Sequence, residues 1–241
     1  MKLGILLCDH VQAALQQKFG DYRDMFSQLL YQCDSSLELH YYCVVDGQFP
    51  DNIDVCDAYM ASGSKASVND DLPWVNALER FIWQLFLADK PFVGVCFGHQ
   101  LIAKTLGGKV AHSDKGWGVG IATTKVHSNK AWMQHNKARI KLVVSHQEQI
   151  CQLPPETEVL MGNEFCPYAM IQVGHHFVGL QGHPEFSRAY GKAIMQSRKA
   201  IIAETNYAQG LESLSQITDG KLIMTWLITF FQQAIARKCS N

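Results

Sequence analysis

With 241 residues, 47% of them apolar and 18% charged, the chain can bury a full core, either as one large domain or as a domain with an appendage. Its net charge of -1, with the basic residues scattered, leaves no electrostatic footprint for nucleic acid or for an acidic membrane surface. The eight cysteines, at 8, 33, 43, 56, 96, 151, 166 and 239, include no Cys-x-x-Cys pair, so they read as reduced thiols of a cytoplasmic protein rather than a disulfide scaffold.

The apolar run 3–8 reads as a buried strand and is too short for a signal peptide. A helical stretch over 13–30 is interrupted near Gly20, and 38–45 is a second strand. A third, short strand at 58–61 ends in the loop 62–67. Pro73 opens a helix in which Val75, Leu78, Phe81, Ile82 and Leu85 share one apolar face. Strand 92–95 follows. This alternation predicts a parallel sheet covered by helices.

From 109 to 186 the pattern changes to short β segments at 118–124, 139–144, 158–161, 169–173 and 177–181, an antiparallel or mixed extension. Ser187 can cap a helix running to about residue 203, and Asp219 another over 221–235. In the latter, Ile223, Leu227, Phe230 and Ala234 form a stripe that reads as core. The apolar run 222–231 is too short to cross a bilayer.

One stretch reads as a part built to display a thiol. The strand 92–95 ends at Cys96, and a helical pattern closed by Gly107-Gly108 follows at once. Gly94-x-Cys96-x-Gly98 is the nucleophile-elbow spacing with sulfur in place of a serine oxygen. At the amino end of a helix, free N–H groups and the dipole favour a thiolate. Gln100, one turn on, lies on the same side as the sulfur.

A thiolate nucleophile needs a base, and the base needs an orienting group. Of ten histidines, His183 has suitable company in Gly182-His183-Pro184-Glu185. Two residues apart in extended chain means the same side, so Glu185 can align the imidazole, while Pro184 stiffens the link. Taken alone, the run could equally be a solvated turn. The zinc-deaminase and zincin patterns are missing, and His175-His176 reads as a surface turn more readily than as a metal pair, so no metal site is expected.

Four motifs in order, Ser62-Gly63-Ser64, Gly94-Val95-Cys96-Phe97-Gly98-His99-Gln100, Ser145-His146-Gln147-Glu148 and Gly182-His183-Pro184-Glu185, resemble the class I glutamine amidotransferase family over roughly residues 1–190. The resemblance implies a flavodoxin-like α/β fold, with a mostly parallel sheet flanked by helices and a small antiparallel extension. It implies one domain over 1–241, with a core at 1–190 and a helical appendage at 191–241. It further implies a triad of Cys96, His183 and Glu185, and an oxyanion hole from the Phe97 N–H and the Gly63-Ser64 loop. Gln100 and the backbone around Ser145 and His146 would hold a γ-glutamyl head, and no metal or organic cofactor is required.

The reaction so implied is hydrolysis of glutamine to glutamate and ammonia through a cysteine thioester, with a separate ammonia-accepting synthetase subunit as a partner. The ATP-using acceptor half is not encoded, and Gly63-Ser64-Lys65 stands where synthesising members commonly show Gly-Gly-Pro. Those departures resemble the stand-alone, GMP-synthase-like amidotransferases and the γ-glutamyl peptidases acting on glutathione-like compounds. A third reading, a non-catalytic binding or redox-sensing module, uses the same exposed thiol without the hydrolysis.

Overall fold

The computed structural model describes residues 1–135 and 137–239. Strands β1 (Lys2–Leu6), β2 (Glu38–Tyr42), β3 (Ala58–Ala61), β4 (Phe92–Val95) and β11 (Phe177–Leu180) form the parallel half of a nine-stranded sheet. Strands β10 (Met170–Val173), β9 (Thr157–Gly162), β6 (Gly118–Val126) and β7 (Arg139–His146) continue it antiparallel beyond β11. The strand order is β2-β1-β3-β4-β11-β10-β9-β6-β7.

A separate pair, β5 (Lys109–His112) with β8 (Glu148–Gln152), was not expected. Each strand buries one side chain, Val110 and Ile150, too few to leave an alternating signature in the sequence.

The helices are α1 (Ala13–Phe19), α2 (Tyr22–Cys33), α3 (Pro73–Leu87), α4 (Phe97–Thr105), α5 (Arg188–Ser197), α6 (Glu204–Ser213) and α7 (Gly220–Cys239). The break between the first two falls at Gly20, at φ 74, where Asp21 and Asp24 then build a capping box that restarts the helix. On α3 the buried side chains are Val75, Leu78, Phe81, Ile82 and Leu85, the predicted face. Ser187 caps α5 by accepting the Tyr190 N–H at 3.1 Å, but that helix stops at Ser197, and a 3-10 turn, Lys199–Ile201, follows. Helix α6 was missed because it buries only Gly210 and so carries no apolar stripe.

The inner strands β1, β3, β4 and β11 are covered on both faces, which is why they read as apolar runs, while the edge strand β2 buries no residue. One face buries Leu3, Ile5, Val93 and Val95 with Phe26 of α2 and Trp226 and Phe230 of α7. The other buries Leu6, Tyr59 and Phe92 with Leu78 and Ile82 of α3 and Leu101 of α4. A large apolar side chain so buried contributes roughly 1.5–3 kcal/mol. The Asp219 carboxylate accepts the Lys141 N–H at 2.9 Å, tying the start of α7 to β7. Among the described residues no helix is long and apolar enough to cross a membrane.

Helix α7 also braces the segment that carries His183. A Cβ at Gly220 would lie 2.3 Å from the Pro184 carbonyl oxygen, so the helix start and the His183–Glu185 turn fit only without it. Gly220→Ala is therefore expected to destabilise the fold by about 1–3 kcal/mol, read as a lower midpoint in urea unfolding, through displacement of that turn.

Candidate active site

Cys96 occupies the sharp turn between β4 and α4 at φ 52 and ψ -97, a conformation costing a non-glycine residue about 1–3 kcal/mol. Two backbone bonds hold it there, Cys96 N–H to Leu180 O at 2.8 Å and Gln100 N–H to Cys96 O at 3.1 Å. The flanking glycines have a steric reason. A Cβ at Gly94 would sit 2.3 Å from the Gly98 carbonyl, and one at Gly98 would sit 2.9 Å from Ala61 Cβ. Cys96 is thus the N-cap residue of α4, its sulfur making no capping hydrogen bond, at the helix end where first-turn N–H groups have no helical acceptor.

His183 arrives from the end of β11. Its N–H donates to Val143 O at 2.8 Å, and its ring stacks on Phe186 with centroids 3.8 Å apart and planes 5° apart. Nδ1 lies 2.8 Å from Glu185 Oε1, and the Glu185 side chain is fully buried. The same ring and Cys96 converge under the Gly63 loop, the sulfur near enough for its charge to act on the imidazole. Burial works to strip the ring of its proton, but the charges of Glu185 and Cys96 and the bond to Glu185 outweigh it and lift the imidazole from 6.5 to about 10.

The loop after β3 closes the same point. A Cβ at Gly63 would lie 2.8 Å from His183 Cε1 and 3.5 Å from Cys96 Cβ, so the loop backbone passes directly over both. Buried Ser62 holds it, accepting Cys8 N–H at 2.9 Å and donating to Gly63 O at 3.0 Å. Asp9 clamps the far side, accepting Lys65 N–H at 2.8 Å and Lys65 Nζ at 2.9 Å. Sequence reasoning named Gly63 and Ser64 but not the Ser62 and Asp9 supports, which no spacing rule connects.

Gln100 does face the sulfur side, yet it reaches the sulfur through a partner. Its Nε2 donates to Glu148 O at 2.7 Å and to Gln181 Oε1 at 3.2 Å, while Gln181 Nε2 donates to Cys96 Sγ at 3.4 Å. Gln181 was overlooked, although its place two residues before His183 at a strand end puts it on the same side.

Cys96, Ser64, Gln100, Ser145 and His146 line one cavity of about 270 Å³, together with Arg198. Arg198 donates to Ser145 Oγ at 2.7 Å and lies over the Trp117 ring at 5.2 Å. It sits in the turn after α5, outside every motif, which is why the sequence did not flag it. His146 is 5% exposed, and burial, with smaller contributions from His183 and His99, pulls it down to about 3. Its neutral ring also borders an adjoining, mainly apolar cavity of about 490 Å³ reaching Val119, Ile121, Met161 and Phe165. The His175-His176 pair lies elsewhere, and only His175 is on the surface, since His176 is 4% exposed.

A thiol at a helix amino end, brought together with an imidazole that a carboxylate holds, can carry acyl transfer. Residues 20–201 match the family model described as glutamine amidotransferase class-I. The chain belongs to that family.

Among its relatives are gamma-glutamyl peptidase 4 of Arabidopsis thaliana, 30% identical over 180 residues, covering 72% of this chain and 71% of that one. A glutamine amidotransferase-like protein of Schizosaccharomyces pombe is 29% identical over 242 residues, covering 95% and 97%. The crystal structure of a glutamine amidotransferase from Thermotoga maritima superposes with a TM-score of 0.72 over 97% of each chain at 18% identity, which shows the class I amidotransferase fold expected from the sequence.

A raised imidazole pKa means that the protonated ring stabilises the fold fully below 6.5 and loses that contribution as pH climbs through about 10. Glu185→Gln removes the carboxylate charge, so His183 should titrate lower by roughly 1 to 3 pH units, measured by NMR of the ring. An unchanged titration would show that Glu185 does not hold the proton.

Proposed function

We propose that the protein hydrolyses a γ-glutamyl amide through a thioester on Cys96, with His183 and Glu185 completing the triad. The observation that supports this reading is the imidazole bonded to Glu185 and brought together with Cys96 under the Gly63 loop. The thiolate attacks the amide carbon, and the developing oxyanion is met by the Phe97 N–H and a Gly63-Ser64 N–H. One such donor is worth on the order of 3 kcal/mol of barrier. The tetrahedral adduct collapses, the C–N bond breaks, and the amine leaves with the proton from His183. Water, giving its proton to His183, then attacks the thioester and releases glutamate and the thiol.

The γ-glutamyl head fits the 270 Å³ cavity, against Ser145 and His146, with Gln100 acting through Gln181 and with Arg198 placed to meet the α-carboxylate. None of these steps calls for a metal or an organic cofactor. Residues 1–241 act in this reading as one domain, the helices after 190 packed on a core at 1–190. Cytoplasm, where thiols stay reduced, suits a thiolate enzyme.

Two leaving groups are open to this machinery. With glutamine, the amine is ammonia, free or passed to a separate synthetase subunit. A γ-glutamyl peptide is the second reading. It is favoured by the relatives named γ-glutamyl peptidases and by the 490 Å³ cavity beyond His146, which has room for a leaving group larger than ammonia.

Incubation of the purified chain with glutamine and with glutathione, assayed for ammonia and for freed amine, is expected to show turnover of at least one, with a γ-glutamyl adduct on Cys96 by intact mass. Cys96→Ala should abolish both turnover and adduct and leave the circular dichroism unchanged; retained activity would sink the assignment. Arg198→Met should raise KM about 10-fold or more with kcat little changed, the loss expected for one charged hydrogen bond. A fall in kcat alone would place Arg198 away from the substrate.

A further inference from the structure

At the amino ends of β4 and β11, opposite the ends that carry Cys96 and His183, the turn before β4 meets the turn before β11. There Asp89, His175 and His176 bring one ligand atom each within 4.8 Å of one another. His176 is buried, its ring tilted against Phe86 and edge-on to Phe177. Its Nε2 lies 3.1 Å from the Phe86 carbonyl oxygen. A carbonyl can only accept, so Nε2 carries a proton, and in the neutral ring Nδ1 carries a lone pair.

That lone pair is the anomaly. Nδ1 has no hydrogen-bond partner among the described residues, while Asp89 Oδ1, itself an acceptor, stands 3.5 Å away. The same Oδ1 is 3.8 Å from His175 Nε2. Electron-pair donors facing each other across a partly buried gap call for a cation.

We propose that Asp89, His175 and His176 bind a zinc-class divalent cation. Two imidazole nitrogens and a carboxylate are a borderline-soft set suited to such an ion, with a fourth position left for water. Bonds of about 2.0–2.1 Å in a tetrahedral site place ligand atoms about 3.3 Å apart, against 3.5 and 3.8 Å from Asp89 Oδ1 to the two imidazoles. Asp89 and His175, 58% and 44% exposed, are free to move toward a shared ion. Phe86 O supplies the outer contact that fixes the tautomer and aim of a metal-bound histidine. The second cluster of this type, His10, Cys43 and Asp46, is a poorer host. Both ring nitrogens of His10 are already taken, by Asp21 at 2.8 Å and Asp46 at 3.0 Å.

Such an ion clips two turns together at the start of the strands whose far ends carry the thiol and the imidazole. Binding to the folded chain alone raises stability with metal concentration.

The test is calorimetric titration of the full chain with ZnCl2 under a non-chelating reductant, on a Cys96→Ala background that removes the reactive thiol, with thermal unfolding in parallel. Asp89→Asn, which tolerates the φ of 49 at that position, and His175→Ala, at an exposed site, leave the core intact. Each is expected to weaken one zinc site by about 10-fold or more and to abolish the zinc-dependent rise in Tm, while His10→Ala changes neither. Equal affinity in the parent and both variants, or no zinc binding by the parent, overturns the proposal. So does anomalous density from a zinc-soaked crystal that lies away from Asp89.

Discussion

The arrangement on which the site depends is the convergence of Cys96 and the Glu185-bound His183 ring under the Gly63 loop, because Cys96 and Glu185 are each held there at a local cost. Cys96 occupies a left-handed backbone conformation that L-residues avoid. Glu185 keeps a carboxylate in a place where its side chain has no exposure. A strained turn and a buried carboxylate persist only where the surrounding structure over-determines them, and here it does. Gly94 and Gly98 leave no room for the elbow to relax outward, and Phe186 stacks flat on the imidazole.

That over-determination is spread through the molecule. The elbow is set by β4 and β11, the Gly63 loop by Asp9 just after β1, and the His183 turn by β7 through the Val143 carbonyl. Helix α7, last in the chain, contributes the apolar face under the parallel strands and the glycine that abuts Pro184. The parallel half of the sheet carries Cys96, His183 and the Gly63 loop, and the antiparallel half anchors the His183 turn through Val143.

Two adjoining cavities differ in character. The smaller one, lined by Cys96, is ringed by polar groups. The larger, beyond His146, is mainly apolar. His146, neutral and buried on the boundary, is a wall of both.

Much of this was legible in the chain, where the signal was local. Glycine spacing around Cys96, the His183-x-Glu185 alternation and the apolar face of α3 are short-range patterns tied to helix or strand geometry, and all three stand in the structure. Elements without a periodic apolar face, β5, β8 and α6, left no such trace.

What only the tertiary structure decided are contacts between residues far apart in the chain. They include the sulfur beside an imidazole 87 positions on, Gln181 interposed between Gln100 and Cys96, Arg198 over Ser145, and His176 turned inward to face Asp89. Periodicity reports which face of an element is buried. It is silent on which distant side chain will share that burial, because that choice is made by the packing of whole layers against one another.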